Sequence, residues 1–411
     1  MITGLRRIIK LPRFERGSRT LRSDSRAAIV LGVESVPDGL ASGLLAGINP
    51  VAGLYAYMFG VSAAAFFTST TFMAVQGTGA MAIIVADIGL DSFEDPTASL
   101  VSLSIMTGVI MVVAGLAKAG AILRFVPNSV MAGFISAVGI NIVLSQITDL
   151  TGFDSTADSR VGVAIDTLFH FWQVDLATIA VGAATIVMIV VLRRTRLQAM
   201  GLVVAIVAGS GLAAVLSALG QDVSVVGNVV EVPNRLPAPK LPSLGNLIEL
   251  VVPAFSLAFV GLVQGAGVSV SVTNPDGSVS DSSEDFTGQG VGNIAAGVFQ
   301  GMPVGGSMSA SSLIVSAGAR TRLSLMLTGA VMAVVILVFA GAVEYVAMPA
   351  LAGLLMVVGI ETVKPHELAN VYKTGSVQAI VMPVTLVLTM LIPMQFAVLV
   401  GVGISIILYV A

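Results

Sequence analysis

The sequence predicts an all-α polytopic membrane protein of fourteen transmembrane segments arranged as a seven-plus-seven inverted repeat. Three observations predict it. Hydrophobic residues make up 56% of the 411 and charged residues only 10%, where a soluble domain carries about 25% charge. The apolar residues fall in continuous runs, many near the ~20 residues a helix needs to cross the hydrocarbon, whereas a β-barrel would alternate. Threading fourteen spans from a cytoplasmic N-terminus also puts all but three of the 20 Lys and Arg residues inside, as membrane orientation favours.

In order along the chain, residues 1–26 are basic and polar and lack a short apolar stretch with a cleavage site. They are expected to be a cytoplasmic tail on the membrane surface, not a signal peptide. Spans are expected at 27–47, 50–69, 72–90, 98–120, 128–148, 173–192 and 199–219, then at 249–272, 286–301, 306–318, 323–343, 346–363, 374–391 and 393–410. The inside set is the basic residues from Arg6 to Arg26, with Lys118, Arg124, Arg193, Arg194, Arg196, Arg320, Arg322, Lys364 and Lys373. Arg160, Arg235 and Lys240 fall outside, with the acidic stretches 87–95 and 149–158. A Pro- and Asn-containing extracellular linker, 221–247, joins the halves. The polar inner loop 273–285, TNPDGSVSDSSED, reads as flexible and carries no evident function.

The third span of each half is short and interrupted, by Gln76-Gly77-Thr78-Gly79-Ala80 in the first and Gly305-Gly306-Ser307-Met308-Ser309 in the second. Seven is odd, so the second unit sits upside down relative to the first. Short Gly-interrupted segments in matching positions point to a transporter's binding site. A half-helix that starts in mid-membrane aims unpaired N–H groups and a positive dipole end at the break. Two such ends make an anion site without Lys or Arg. The expected substrate-binding residues are Gln76, Thr78, Gly79 and Ala80 from one end, and Ser307, Met308, Ser309, Ala310 and Ser311 from the other. Close packing of small residues is the competing explanation.

Glu34 and Asp38 stand at i and i+4 on the first span, so they share a face. An ionised carboxylate at mid-bilayer costs roughly 2.5–3.5 kcal/mol. Asp38, deeper and after Pro37, is the candidate proton-coupling residue. Glu34 fits either that role or a pairing near the basic tail. Gln264 in the eighth span suits either a bond to substrate or an interhelical polar contact. Asn141 and Gln146 read as packing contacts; Tyr55, Tyr57 and Phe59 read as ordinary helix-face residues, with Tyr55 also able to close one side of a cavity. The chain has no Cys and two His, His170 and His366. That excludes disulfides and thiolate chemistry and argues against a His metal site, an enzyme or a bound cofactor.

Two runs carry a family resemblance. PDGLASGLLAGINPVAGLY (37–55) resembles the first-span signature of SulP anion permeases, the solute carrier 26 group. GVGNIAAGVFQGMPVGGSMSASSLIVSAGARTRL (290–323) resembles their ninth-to-tenth-span signature, and Pro349, Leu351, Ala352, Gly353 and Leu354 the region that follows. The resemblance implies a core domain of 27–122 and 248–344, and a gate domain of 123–220 and 345–411. It implies an anion held between the third and tenth spans, elevator-like movement of core against gate, and a homodimer in lipid, in the cell inner (plasma) membrane. Substrates across such a family include sulfate, bicarbonate, chloride and dicarboxylates; nucleic acid is not among the expected partners. Several positions depart from the pattern. Gly77-Thr78 stands where Gly-Pro is frequent, and Ala310 where many members have Arg, so the site lacks that positive charge. Gln264 stands where bicarbonate-type members have an acid, and Asp38 where Gln or Glu is common. The sequence stops just after the last expected span, so the STAS domain that most members carry is expected to be missing here, through either natural brevity or truncation. A proton-linked or exchange-type anion transporter is the leading expectation; a passive anion channel and a nucleobase permease of the same fold are the alternatives.

Overall fold

The structure, a computed structural model, describes residues 18–120, 128–157, 159–195 and 200–393, with 396, 397 and 400. The tail before Ser18, Arg124, Arg196 and most of the expected span 393–410 lie outside the described residues. In chain order the elements are α1 (Ser18–Leu45), α2 (Pro50–Ala64), β1 (Ala74–Gln76), α3 (Gly79–Ile88), α4 (Pro96–Leu116), α5 (Asn128–Ser145), α6 (Ile147–Thr151), α7 (Arg160–Phe169), α8 (Leu176–Leu192), α9 (Gly201–Ala218), α10 (Val226–Val229), α11 (Leu247–Ser271), α12 (Ser282–Val298), β2 (Gly305–Ser307), α13 (Met308–Ser316), α14 (Leu323–Glu344), α15 (Met348–Thr362), α16 (Pro365–Thr374) and α17 (Ser376–Leu391). Among the described residues, seven helices are long and apolar enough to cross a membrane; α2, α8 and the apolar part of α17 are shorter.

The all-α expectation needs one amendment. β1 and β2 form a two-stranded antiparallel sheet, with Ala74 opposite Ser307, Val75 opposite Gly306 and Gln76 opposite Gly305. Both strands stand where the sequence predicted interrupted spans. Outside helix, backbone N–H and C=O groups buried in protein still need partners, and each strand supplies them to the other. The expected span 286–301 starts earlier, at Ser282, because Asp281 caps it, accepting from the N–H of Ser283 at 2.8 Å and of Glu284 at 3.2 Å. The inner loop 273–285 is anchored: Asn274 is buried, and its Oδ1 accepts from Thr71 N at 2.7 Å.

The described residues divide into two compact units. One draws on Met1–Pro127, Leu236–Val334 and Ile392–Ala411, the other on Asn128–Arg235 and Val335–Leu391. In the first unit α12 packs on α4 and α2, α1 on α2, and α11 on α4 and β2. Two buried carboxylates brace its loops. Asp285 accepts from Ser69 Oγ at 2.9 Å, Thr70 N at 2.8 Å, Thr70 Oγ1 at 2.5 Å and Ser269 Oγ at 2.7 Å. This fixes the approach to β1. Asp24 accepts from the N–H of Arg320 at 2.7 Å and of Thr321 at 3.0 Å, and from Thr321 Oγ1 at 2.5 Å. This fixes the turn after α13. Burying a carboxylate is costly unless its oxygens are hydrogen-bonded, and both are.

In the second unit α5 packs on α15 and α17, and α8 on α9 and α15. Asn141 Nδ2 donates to Thr389 O at 3.2 Å, the packing contact its sequence suggested. Ser210 Oγ accepts from Ala347 N at 3.0 Å, and Arg193 pairs with Glu361.

Candidate functional site

Both interrupted spans follow one plan: strand, hydroxyl cap, short helix. Thr78 is the N-cap of α3, and its Oγ1 accepts from Met81 N at 3.4 Å. Ser307 is the N-cap of α13, and its Oγ accepts from Ala310 N at 3.3 Å. Thr and Ser suit these positions because a short side-chain oxygen reaches an otherwise unpaired first-turn N–H. Since Gln76 pairs with Gly305 and Ala74 with Ser307, the two caps sit at opposite ends of one three-residue ladder. The N–H groups of Gly79 and Ala80, and of Met308 and Ser309, belong to first turns with no intrahelical acceptor.

The expected site residues divide into two groups. Thr78, Gly79 and Ser307 are half-buried, and Met308 and Ser309 are exposed. Ser307 Oγ and Ser309 Oγ lie 3.2 Å apart, and Gln264 Oε1 accepts from Thr78 Oγ1 at 3.1 Å. Gln264 thus makes an interhelical polar contact, one of its two expected roles, and makes it with a cap residue. Gln76, Ala80, Ala310 and Ser311, by contrast, are buried in packing. Gln76 Nε2 donates to Ser35 Oγ at 2.7 Å, and its Oε1 has no partner among the described residues. Ser311 Oγ donates to Ser307 O at 2.6 Å and accepts from Ala74 N at 2.9 Å, which ties α13 to β1.

Tyr57 is not an ordinary helix-face residue. Its side chain is buried, and its Oη is 2.8 Å from Asp38 Oδ2, 2.9 Å from Ser42 Oγ and 2.7 Å from Gly77 O. Asp38 is half-buried on α1; Glu34 lies one turn earlier, also half-buried. Asp38 is thereby linked through one phenol to the residue before the α3 cap. Gly77 must be glycine for this: a Cβ would come within 2.8 Å of Tyr57 Cε2.

Sequence reasoning also missed the two amides that hold β2. Asn293 on α12 accepts from Val304 N at 2.9 Å and donates to Val304 O at 2.7 Å. Gln289, one turn before, accepts from Gly306 N at 2.9 Å. Both side chains are buried. Two amides at i and i+4 in a glycine-rich span were the available signal. Gly306 lies so close to α11 that a Cβ would come within 3.0 Å of Gly265 Cα.

The same architecture occurs in solved membrane proteins. The transmembrane domain of a cyanobacterium bicarbonate transporter, BicA, superposes with a TM-score of 0.79 at 24% identity, over 95% of this chain and 98% of that one. The murine Solute Carrier 26 family member A9 anion transporter in its inward-facing state gives 0.82 at 19% identity, over 96% of this chain and 69% of that one. These likenesses are of fold, and among the described residues are helices long and apolar enough to cross a membrane. The chain belongs to the sulfate permease family, whose model matches residues 21–385. Among relatives, YbaR of Bacillus subtilis is 28% identical over 400 residues, covering 95% of this chain and 77% of YbaR. The bicarbonate transporter BicA of Picosynechococcus sp. is 25% identical over 397 residues, covering 94% and 70%.

Proposed function

We propose that this protein is a secondary active transporter of a small anion of the bicarbonate, sulfate, chloride or dicarboxylate class, coupled to protons or working by exchange. One observation carries the reading: two half-helix N-termini start from a single ladder, and neither β1–α3 nor β2–α13 contains Lys or Arg. Dipole ends and N–H groups then supply the positive potential, joined by the hydroxyls of Thr78, Ser307 and Ser309. Gly79 and Met308 contribute backbone; Gln264 orients Thr78. Gln76, Ala80, Ala310 and Ser311 shape the cradle from behind. Asp38, with Glu34 near it, takes the coupling proton.

In this reading the fourteen spans form a seven-plus-seven inverted repeat. The core domain, 27–122 and 248–344, carries the cradle and moves elevator-like against the gate domain, 123–220 and 345–411. The N-terminus is cytoplasmic, the membrane is the cell inner membrane, and two chains pair. Membership of the sulfate permease family and the bicarbonate transporter among its relatives support an anion as cargo. Uptake of bicarbonate, sulfate, chloride and fumarate into proteoliposomes, with and without sodium and at two pH values, tests it. Concentrative, pH-driven uptake is expected, lost in Asp38→Asn while the variant stays folded. Flux that only runs downhill identifies a passive channel instead, and undiminished pH-driven uptake in Asp38→Asn removes Asp38 from the coupling.

A further inference from the structure

Tyr57 Oη has three oxygen neighbours within 2.9 Å, Gly77 O, Asp38 Oδ2 and Ser42 Oγ, and a phenol has one proton to give. The Gly77 carbonyl can only accept, so its contact takes that proton. Asp38 then keeps its own contact only by donating, which requires a proton on its carboxyl. An ionised Asp38 can only accept, and a hydrogen bond to a charged group is about twice as strong as a neutral one. It therefore takes the Tyr57 proton, and the Gly77 oxygen is left facing a lone pair.

The geometry points to Tyr57 as a positioning residue that couples the proton on Asp38 to the anion cradle through the Gly77 carbonyl. This rests on the transport reading above and deepens it. With Asp38 protonated, its Oδ2–H donates to Tyr57 Oη, and Tyr57 donates to Gly77 O. When that proton leaves to water, the Tyr57 O–H turns to the carboxylate and Gly77 is released. One proton enters or leaves, and no other covalent bond changes. Ser42, whose hydroxyl serves as donor or acceptor, stays with Tyr57 in both states.

Gly77 matters because a peptide unit is planar and trans. Fixing its C=O fixes the opposed N–H of Thr78, the cap of α3, and the donors of Gly79 and Ala80 follow directly. A held peptide pre-organises them; a released one must be ordered at the expense of binding. Proton binding therefore tightens anion binding, and by linkage the anion tightens proton binding by the same factor. The other titratable groups around Asp38 are few. Glu34 lies one turn away on α1, and α2 also carries Tyr55, two residues before Tyr57 and on a different side of the helix. The one acid of α3, Asp87, is at the far end from its cap; α13 has none; the one acid of α11, Glu249, lies in its first turn. The basic residues of α1 stop at Arg26.

The test is the affinity of purified protein for chloride and sulfate, neither of which changes charge between about pH 5.5 and about pH 8. Wild type is expected to bind on the order of tenfold more tightly at the acid end. Tyr57→Phe keeps the ring against Gly77 and should reduce the ratio to about twofold or less, held at the weaker value. Glu249→Gln, at an exposed position in the first turn of α11, should keep the full ratio; its loss there would place the coupling outside the Asp38–Tyr57–Gly77 contacts and overturn the inference. A full ratio in Tyr57→Phe also overturns it, while leaving proton-driven uptake through Asp38 standing. Absence of any anion uptake in wild type sinks the transport reading itself. Infrared difference spectra of wild type with ring-labelled tyrosine give a second measurement that does not depend on the variant folding. One phenol C–O band should shift between the two pH values and stay fixed in Asp38→Asn; no shift in wild type overturns the relay.

Discussion

The segments Ala74–Ile88 and Gly305–Ser316 pass through the same states, strand, hydroxyl cap and short helix, yet the groups that hold them differ in kind. The second is held by neutral amides: Asn293 closes both bonds of the Val304 residue and Gln289 takes the N–H of Gly306. The first is held at its turn by Tyr57, and Tyr57 answers to Asp38. Amides do not titrate, so the bonds that hold Val304 and Gly306 keep the same donors and acceptors at every pH. The Ala74 arm touches a group whose donor count changes with one proton. A pair of similar backbones can thus divide the work, one arm as a fixed reference and the other as the responsive partner.

That division can be broken most severely at Asn293. Asn293→Ala strands a buried N–H and a buried C=O, each costing about 1–3 kcal/mol when unpaired. A loss of about 2–6 kcal/mol is expected, read as a lowered denaturation midpoint in detergent and loss of transport at all pH values. A bulky residue at the exposed cap-side position, Ser309→Trp, should cut uptake at least about tenfold with little change in thermal stability, since an exposed site costs within about 0.5 kcal/mol; normal flux would count against the cradle. Ser311→Ala removes the acceptor that takes the Ala74 N–H across the two arms and the donor to Ser307 O within its own arm, and about 1–2 kcal/mol of stability should go with it, measured the same way.

The smallest effect lies at the N-terminal end of α4. Asp95 caps that helix, accepting from Ala98 N at 2.9 Å, and Lys240 Nζ reaches it at 2.9 Å. The Ala98 N–H first, and the Lys240 ammonium with it, hold the Asp95 carboxyl below its ordinary value. A depressed carboxyl contributes stability above the unfolded value of about 3.9, and that contribution is lost as pH falls through the lower folded value. Asp95→Asn should melt slightly below wild type at neutral pH, with the gap narrowing in acid and in high salt.

The sequence reading reached the two short helices, though not the capping role of Thr78 and Ser307, because Gly and Ser clusters at matching positions are rare enough to stand out among apolar spans. It reached Asp38 because an acid in such a span is conspicuous. It did not reach the ladder: strands of three residues are too short to show a period of two. Tyr57 escaped for another reason. Helical periodicity tells which face a side chain occupies but not which residue of another helix it meets, and Gly77 comes to Tyr57 only through tertiary packing. Gln289 and Asn293 were legible in principle, as two amides one turn apart, but polar side chains in small-residue helices serve packing so often that spacing alone did not single them out.

The ladder has a mechanical side as well. Each short helix departs from the C-terminal end of its strand, and in an antiparallel pair those ends lie at opposite extremities. Tension between the two helices therefore loads the cross-strand bonds in shear, all together, and does not peel them one after another. A ribbon only three residues long on each side can in this way resist being pulled apart.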